Sequence, residues 1–137
     1  MILRFSWLMP ILALGFISAG CGQSGRPAVT KFPVSGTVTL DGKPMAAGKV
    51  IFKNDLLSSV DHAVVTDGKM SGEAAPGRAR VEISVIRQYK DSKVMAGQEV
   101  TLEEETIAPE FNSKSTLAAT VTEAGPNEFS FAAKSKK

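Results

Sequence analysis

His62 is the only histidine of the chain, and it follows Asp61. An imidazole titrates near neutrality, so a histidine beside a carboxylate can begin an acid–base pair. Catalysis or metal binding needs further partners at a defined spacing, and the flanking residues supply none. The hydroxyls Ser58, Ser59, Ser113 and Ser115 have no base pattern and no nucleophile-elbow glycines around them. They read as loop and strand-edge residues. Glu103-Glu104-Glu105 is a carboxylate run. Ca²⁺ would take its oxygens, but that ion wants roughly six or more ligands from a shaped loop. A solvated, self-repelling run is the simpler reading. Asp41 and Asp67 precede glycines, and turn chemistry accounts for them. Tyr89 and Phe111 lie in a charged stretch and are the candidate ligand contacts, because aromatic rings stack on sugars and other flat apolar faces. The competing reading packs Phe111 on the edge of the fold and lays Tyr89 over apolar surface. No catalytic residue, metal site or cofactor is expected.

Cys21 is the only cysteine, so no internal disulfide can form. It closes an N-terminal segment with Arg4, an apolar run from Phe5 to Phe16, and the small residues Ser18-Ala19-Gly20. That is the layout of an export signal. The run carries Pro10 and Gly15 and falls short of the ~20 residues that span a bilayer comfortably. The boundary resembles a bacterial lipobox. The resemblance implies lipidation of Cys21, which would become the first residue of the mature chain. Several acyl chains make such an anchor effectively permanent, at about 0.8 kcal/mol per buried CH₂. Residues 1–20 are then the signal peptide. Cys21 to Lys31, with Gly22, Gly25 and Pro27 and no apolar period, reads as the anchor and a flexible tether.

The chain of 137 residues suits one domain plus a leader. Its 16 basic and 14 acidic residues give a net charge of +2, without the concentrated basic face that nucleic acid requires. The closing Lys134, Lys136 and Lys137 read as a solvated basic tail over 134–137.

The elements that would position these residues are strands. In "FPVSGTVTL", Phe32, Val34, Val38 and Leu40 share one parity, the period of a half-buried strand. Asp41-Gly42 ends it with a turn of positive φ. "KVIFK", Lys49 to Lys53, is a short strand. From Asn54 to His62 the pattern blurs. Leu56, Leu57, Val60 and Val64 fit one face of a helical turn, but the stretch is too short for a stable isolated helix, and a loop is preferred. "HAVVTDGKMSG" reads as a hairpin turning at Asp67-Gly68. "APGRARVEISV" sends Ala79, Val81, Ile83 and Val85 to one side and Arg78, Arg80, Glu82 and Ser84 to the other. "STLAATV" sends Leu117, Ala119 and Val121 inward, and "NEFSFAA" does the same with Phe129, Phe131 and Ala133. "EAGPN" is the turn between them, where Gly and Pro break any ladder. Short alternating strands without a convincing helix indicate a single antiparallel β-sandwich of about seven strands. The excursion from Ile86 to Phe111 is long for a structureless loop, and such loops carry function or disorder. Val100, Leu102 and Ile107 are available to tack part of it to the sheet edge.

"VSGTVTLDGKPMAAGKVIF" (Val34 to Phe52), "TDGK" (Thr66 to Lys69) and "APGRARVEISV" (Ala75 to Val85) together resemble the carboxypeptidase regulatory-like domain of transthyretin-like fold. The wider layout, with "IAPEFNSKSTLAATV" and "NEFSF" near the end, is similar to small lipoproteins of planctomycete bacteria. The resemblance covers residues 32–133. It implies a seven-stranded sandwich at the cell envelope, on the outer membrane or the periplasmic face, without enzymatic activity. Ala79 stands where that family usually has tyrosine, which implies a thinner core. The related hydrolases of hydroxyisourate need more than one histidine and a tyrosine-containing C-terminal motif, and this chain ends "AAKSKK".

The expectation is a non-enzymatic, lipid-anchored envelope protein, held to the membrane by lipid on Cys21 and presenting a sandwich to a protein or glycan partner. The alternative is a carbohydrate or small-ligand binding module that uses the 86–111 excursion.

Overall fold

Two Asp-Gly pairs turn the chain on itself, and the ladders grow from them. The computed structural model describes residues 27–95 and 98–137. The expected signal segment, Cys21 and the expected tether as far as residue 26 lie outside the described residues. Strand β1 (Phe32–Leu40) meets β2 (Lys43–Pro44) through Asp41-Gly42. After β3 (Ala47–Asn54), strands β4 (Ser59–Thr66) and β5 (Lys69–Ala74) meet through Asp67-Gly68. All four turn residues have positive φ: 52° and 80° in the first pair, 49° and 77° in the second. Two successive positive φ values define the hairpin turn whose twist matches that of the strands.

The remaining strands are β6 (Gly77–Ser84), β7 (Ile86–Met95), β8 (Gln98–Glu105), β9 (Ala118–Val121) and β10 (Glu128–Ala133), with a 3₁₀ turn at Pro109–Phe111. The main sheet runs β10-β1-β5-β4-β3-β6-β9, with β2 beside β1. Every neighbouring pair is antiparallel except β1 and β10, which run parallel from Ser35↔Glu128 to Leu40↔Ala133.

This sheet is curled into a sandwich. Phe52 of β3 and Phe129 of β10 stand four places apart along the sheet, or about 19 Å if it were flat. Their rings are 6.0 Å apart. One core gathers inward residues of all seven strands, including Val38, Val50, Phe52, Val65, Val81 and Ile83. The two ends of the path meet at Asn127, which is buried. Its side chain accepts from Thr122 N at 2.7 Å and donates to Thr122 O at 2.9 Å and Pro33 O at 3.2 Å.

The alternation read from sequence holds in β1, β6, β9 and β10: Val34, Val38, Ala79, Val81, Ile83, Ala119, Val121, Phe131 and Ala133 are buried. Glu82 keeps its outward parity but is buried, because Lys53 (2.7 Å) and Arg80 (3.0 Å) close over its carboxylate. Three expectations are corrected. The stretch 54–62 is a loop only over 55–58, and β4 already runs from Ser59. The 86–111 excursion is a β7–β8 hairpin followed by the 3₁₀ turn, with Ile86 paired to Glu105 at its root and Met95 to Gln98 at its tip. Residues 134–136 are tied to the fold through their backbone: Ala108 N donates to Lys134 O and Lys136 N to Thr106 O.

Gly36 marks the tightest point of the closure. It pairs with Phe129 at a φ of 153°, and a Cβ there would lie 1.8 Å from the Phe129 carbonyl oxygen. Gly36→Ala should therefore cost upwards of about 3 kcal/mol. Gly42→Ala, with open space around it, should cost only about 1 kcal/mol from its φ. Urea unfolding midpoints of the two variants check the difference.

Candidate interaction site

The β7–β8 hairpin belongs to a separate two-stranded sheet, and neither strand pairs with the main sheet. Glu105 holds it at the root. One carboxylate oxygen accepts from Val85 N (2.9 Å) and Ile107 N (3.0 Å), and the other from Ser84 Oγ (2.5 Å) and Asn112 Nδ2 (3.3 Å). Charge-assisted bonds of this kind are stronger than neutral ones. Thr106 adds two bonds to Val85 O, from its backbone N at 2.9 Å and its hydroxyl at 3.0 Å. Ile107, fully buried in the core, carries the chain back to the sandwich.

This arrangement splits the carboxylate run. Glu105 serves the root, Glu104 pairs with Arg87 (3.1 Å) and Glu103 accepts from Gln88 (2.9 Å). The outer pairs are exposed, where ion pairs contribute little. Among the described residues no group of three or more His, Cys, Asp or Glu side chains is placed to hold a metal ion.

Tyr89 lies on β7 opposite Leu102 and is exposed. Phe111 ends the 3₁₀ turn, half-buried against the core. It lines a shallow hollow with Thr39, Asp41, Gly42 and Lys134, and Tyr89 does not reach that hollow. The two aromatics do not form one binding surface. Asp41 accepts from Ser135 N (3.1 Å) and Oγ (2.7 Å), and these bonds lower its pKa.

His62 faces outward on β4 opposite Ile51, in a groove with Val64, Ser84 and Ile86. Among the described residues its side chain makes no hydrogen bond or ion pair. Ser115 is buried and bonds Val81 O, and Ser59 donates to Asp61.

Asp61 is the polar centre that sequence reasoning missed. It points inward in phase with Ala63 and Val65. Oδ2 accepts from Ser59 Oγ (2.7 Å) and Ala75 N (2.9 Å). Oδ1, otherwise buried without a partner, has the Lys31 ammonium at 2.6 Å. Burial is the largest single influence on the carboxyl and would raise its pKa. The bonds from Lys31, Ser59 and Ala75 together outweigh it and hold the value below the ordinary one. Lys31 in turn is raised, chiefly by its bond to Asp61. The expected tether thus ends in a fixed point at Lys31. The signal that could have found it is the phase of β4, which places Asp61 on the core side.

Because the folded pKa of Asp61 lies below the unfolded one, its carboxylate stabilises the fold above about pH 4. That contribution is lost as pH falls through the folded value. Asp61→Ala removes the acceptor of the buried Ala75 N–H and should cost about 2 kcal/mol at pH 7. The gap from the parent protein should narrow at pH 3, which urea unfolding at the two pH values checks. Glu105→Ala should speed amide exchange in β7 and β8 at least tenfold while β1, β3 and β6 keep their protection, because it loosens only the root.

No family model matches the chain, no curated protein matches it, and no solved structure matches it.

Proposed function

We propose that the chain is a non-catalytic, lipid-anchored protein of the cell envelope whose sandwich presents the β7–β8 hairpin to a protein partner. The observation that carries this reading is the hairpin itself. It is fixed at its root by Glu105, and among the described strands each of its two pairs only with the other. Strand edges of this kind can accept an extended segment of another chain, with affinity from main-chain hydrogen bonds and selectivity from side chains such as Tyr89.

The anchor reading draws on the apolar run and the lone Cys21, and on the position of the domain close behind them. The similarity to carboxypeptidase regulatory-like domains and to planctomycete lipoproteins supports an all-β module that binds without doing chemistry. Export through the signal would place it on the outer membrane or the periplasmic face.

Cys21→Ser should move the protein from the membrane fraction to the soluble fraction, and retention in the membrane would sink the anchor. A photoreactive phenylalanine in place of Tyr89 should crosslink one reproducible protein in cells. Absence of any protein adduct, with retention on cell-wall polysaccharide that Tyr89→Ala abolishes, would favour the carbohydrate-binding alternative.

A further inference from the structure

We infer that the turn between β3 and β4 is a second, non-covalent contact with the bilayer, through which Leu56 and Leu57 enter the headgroup layer. The inference rests on the anchored reading above and adds the orientation of the domain.

Leu56 is 92% exposed and Leu57 41%. Their exposure is imposed from beneath. Asn54 is buried, donates to Pro76 O at 2.9 Å and accepts from Leu57 N at 3.1 Å. Ser58 completes the turn at a φ of 50°. A turn pinned in this way cannot fold its leucines back onto the core.

The location selects the occupant. Leu56 and Leu57 border a groove with Pro27, Val29 and Lys31, where the chain arrives from Cys21. Pro27 lies six positions after Cys21, a span of at most about 22 Å. The face bearing the leucines is therefore the face held nearest the membrane. On its other side Leu56 borders a groove with Lys53, Arg78 and Arg80, and with Asp55 as its acid. Lys53 and Arg80 lie over the buried Glu82, and Arg78 has no ion pair among the described residues. Apolar tips flanked by Lys and Arg suit an interface of acyl chains and phosphates.

The test uses the chain from Cys21 onward, coupled through its only thiol to a maleimide-headgroup lipid in vesicles of phosphatidylcholine and phosphatidylglycerol. Trp7, the only tryptophan, precedes Cys21, so Leu56→Trp carries a single indole. Its emission should shift to the blue, and lipids brominated on the acyl chain should quench it at least twofold. Val64→Trp, on the outer face of β4, should stay unquenched. Equal quenching at both positions, or none at Leu56→Trp, overturns the inference. A blue shift without quenching by brominated lipid also overturns it, because the turn is then covered by a second copy of the chain. The coupling imposes the tether chemically, so an unmodified Cys21 peptide from cells would refute the anchor without altering this measurement.

Discussion

The sandwich depends on the pairing of β1 with β10, strands whose facing residues Thr37 and Ser130 lie 93 positions apart in the chain. Without it the sheet would be an open ribbon ending at β1, and Phe129 and Phe131 would have no core to enter. The pairing sets Phe129 against Phe52 and Phe131, at 6.0 and 6.1 Å between ring centroids. It requires a residue without Cβ at Gly36 and a polar tie at Asn127, where the two ends of the sheet come together. Closure of distant segments is entropically costly, and the burial that follows it offsets that cost.

Two carboxylates are structural in a comparable way. Glu105 converts the return of a hairpin into a network of hydrogen bonds to Ser84, Val85, Ile107 and Asn112. Asp61 does so for the entry of the chain, binding Lys31, Ser59 and Ala75. A carboxylate withdrawn from water is tolerated only when its lone pairs are satisfied, so Asp61, which is buried, and Glu105, which is half-buried, each fix the groups around them. The residue types that suggest chemistry in the sequence are used here for architecture.

The strands that bury one face were legible in the sequence because burial imposes a period of two. The two Asp-Gly turns were legible because few residues tolerate positive φ. The hairpin was not, since none of its described side chains joins the core and its polar pairs Arg87–Glu104 and Gln88–Glu103 interrupt any apolar alternation. The stretch around β4 misled for the opposite reason. Leu56, Leu57, Val60 and Val64 lie outside while Asp61 lies inside, which inverts the usual assignment of apolar residues to the core. Parity also gave the direction of Glu82 but not its cover by Lys53 and Arg80. Asn127 read as an ordinary turn residue, and its role depends on a partner, Pro33, 94 positions away.

The clamp at Lys31 has a mechanical consequence. Lys31 immediately precedes β1, and β1 lies between β5 and β10, inside the sheet rather than at its edge. A pull arriving through the N-terminal segment meets the ion pair to β4 first and then runs along the axis of β1. Both ladders flanking that strand are loaded in shear, with their hydrogen bonds sharing the tension together. A strand at the margin would instead peel away one bond at a time. A pull from the N-terminal side would thus be taken up at a point where the weave of the sheet resists having a strand drawn out of it.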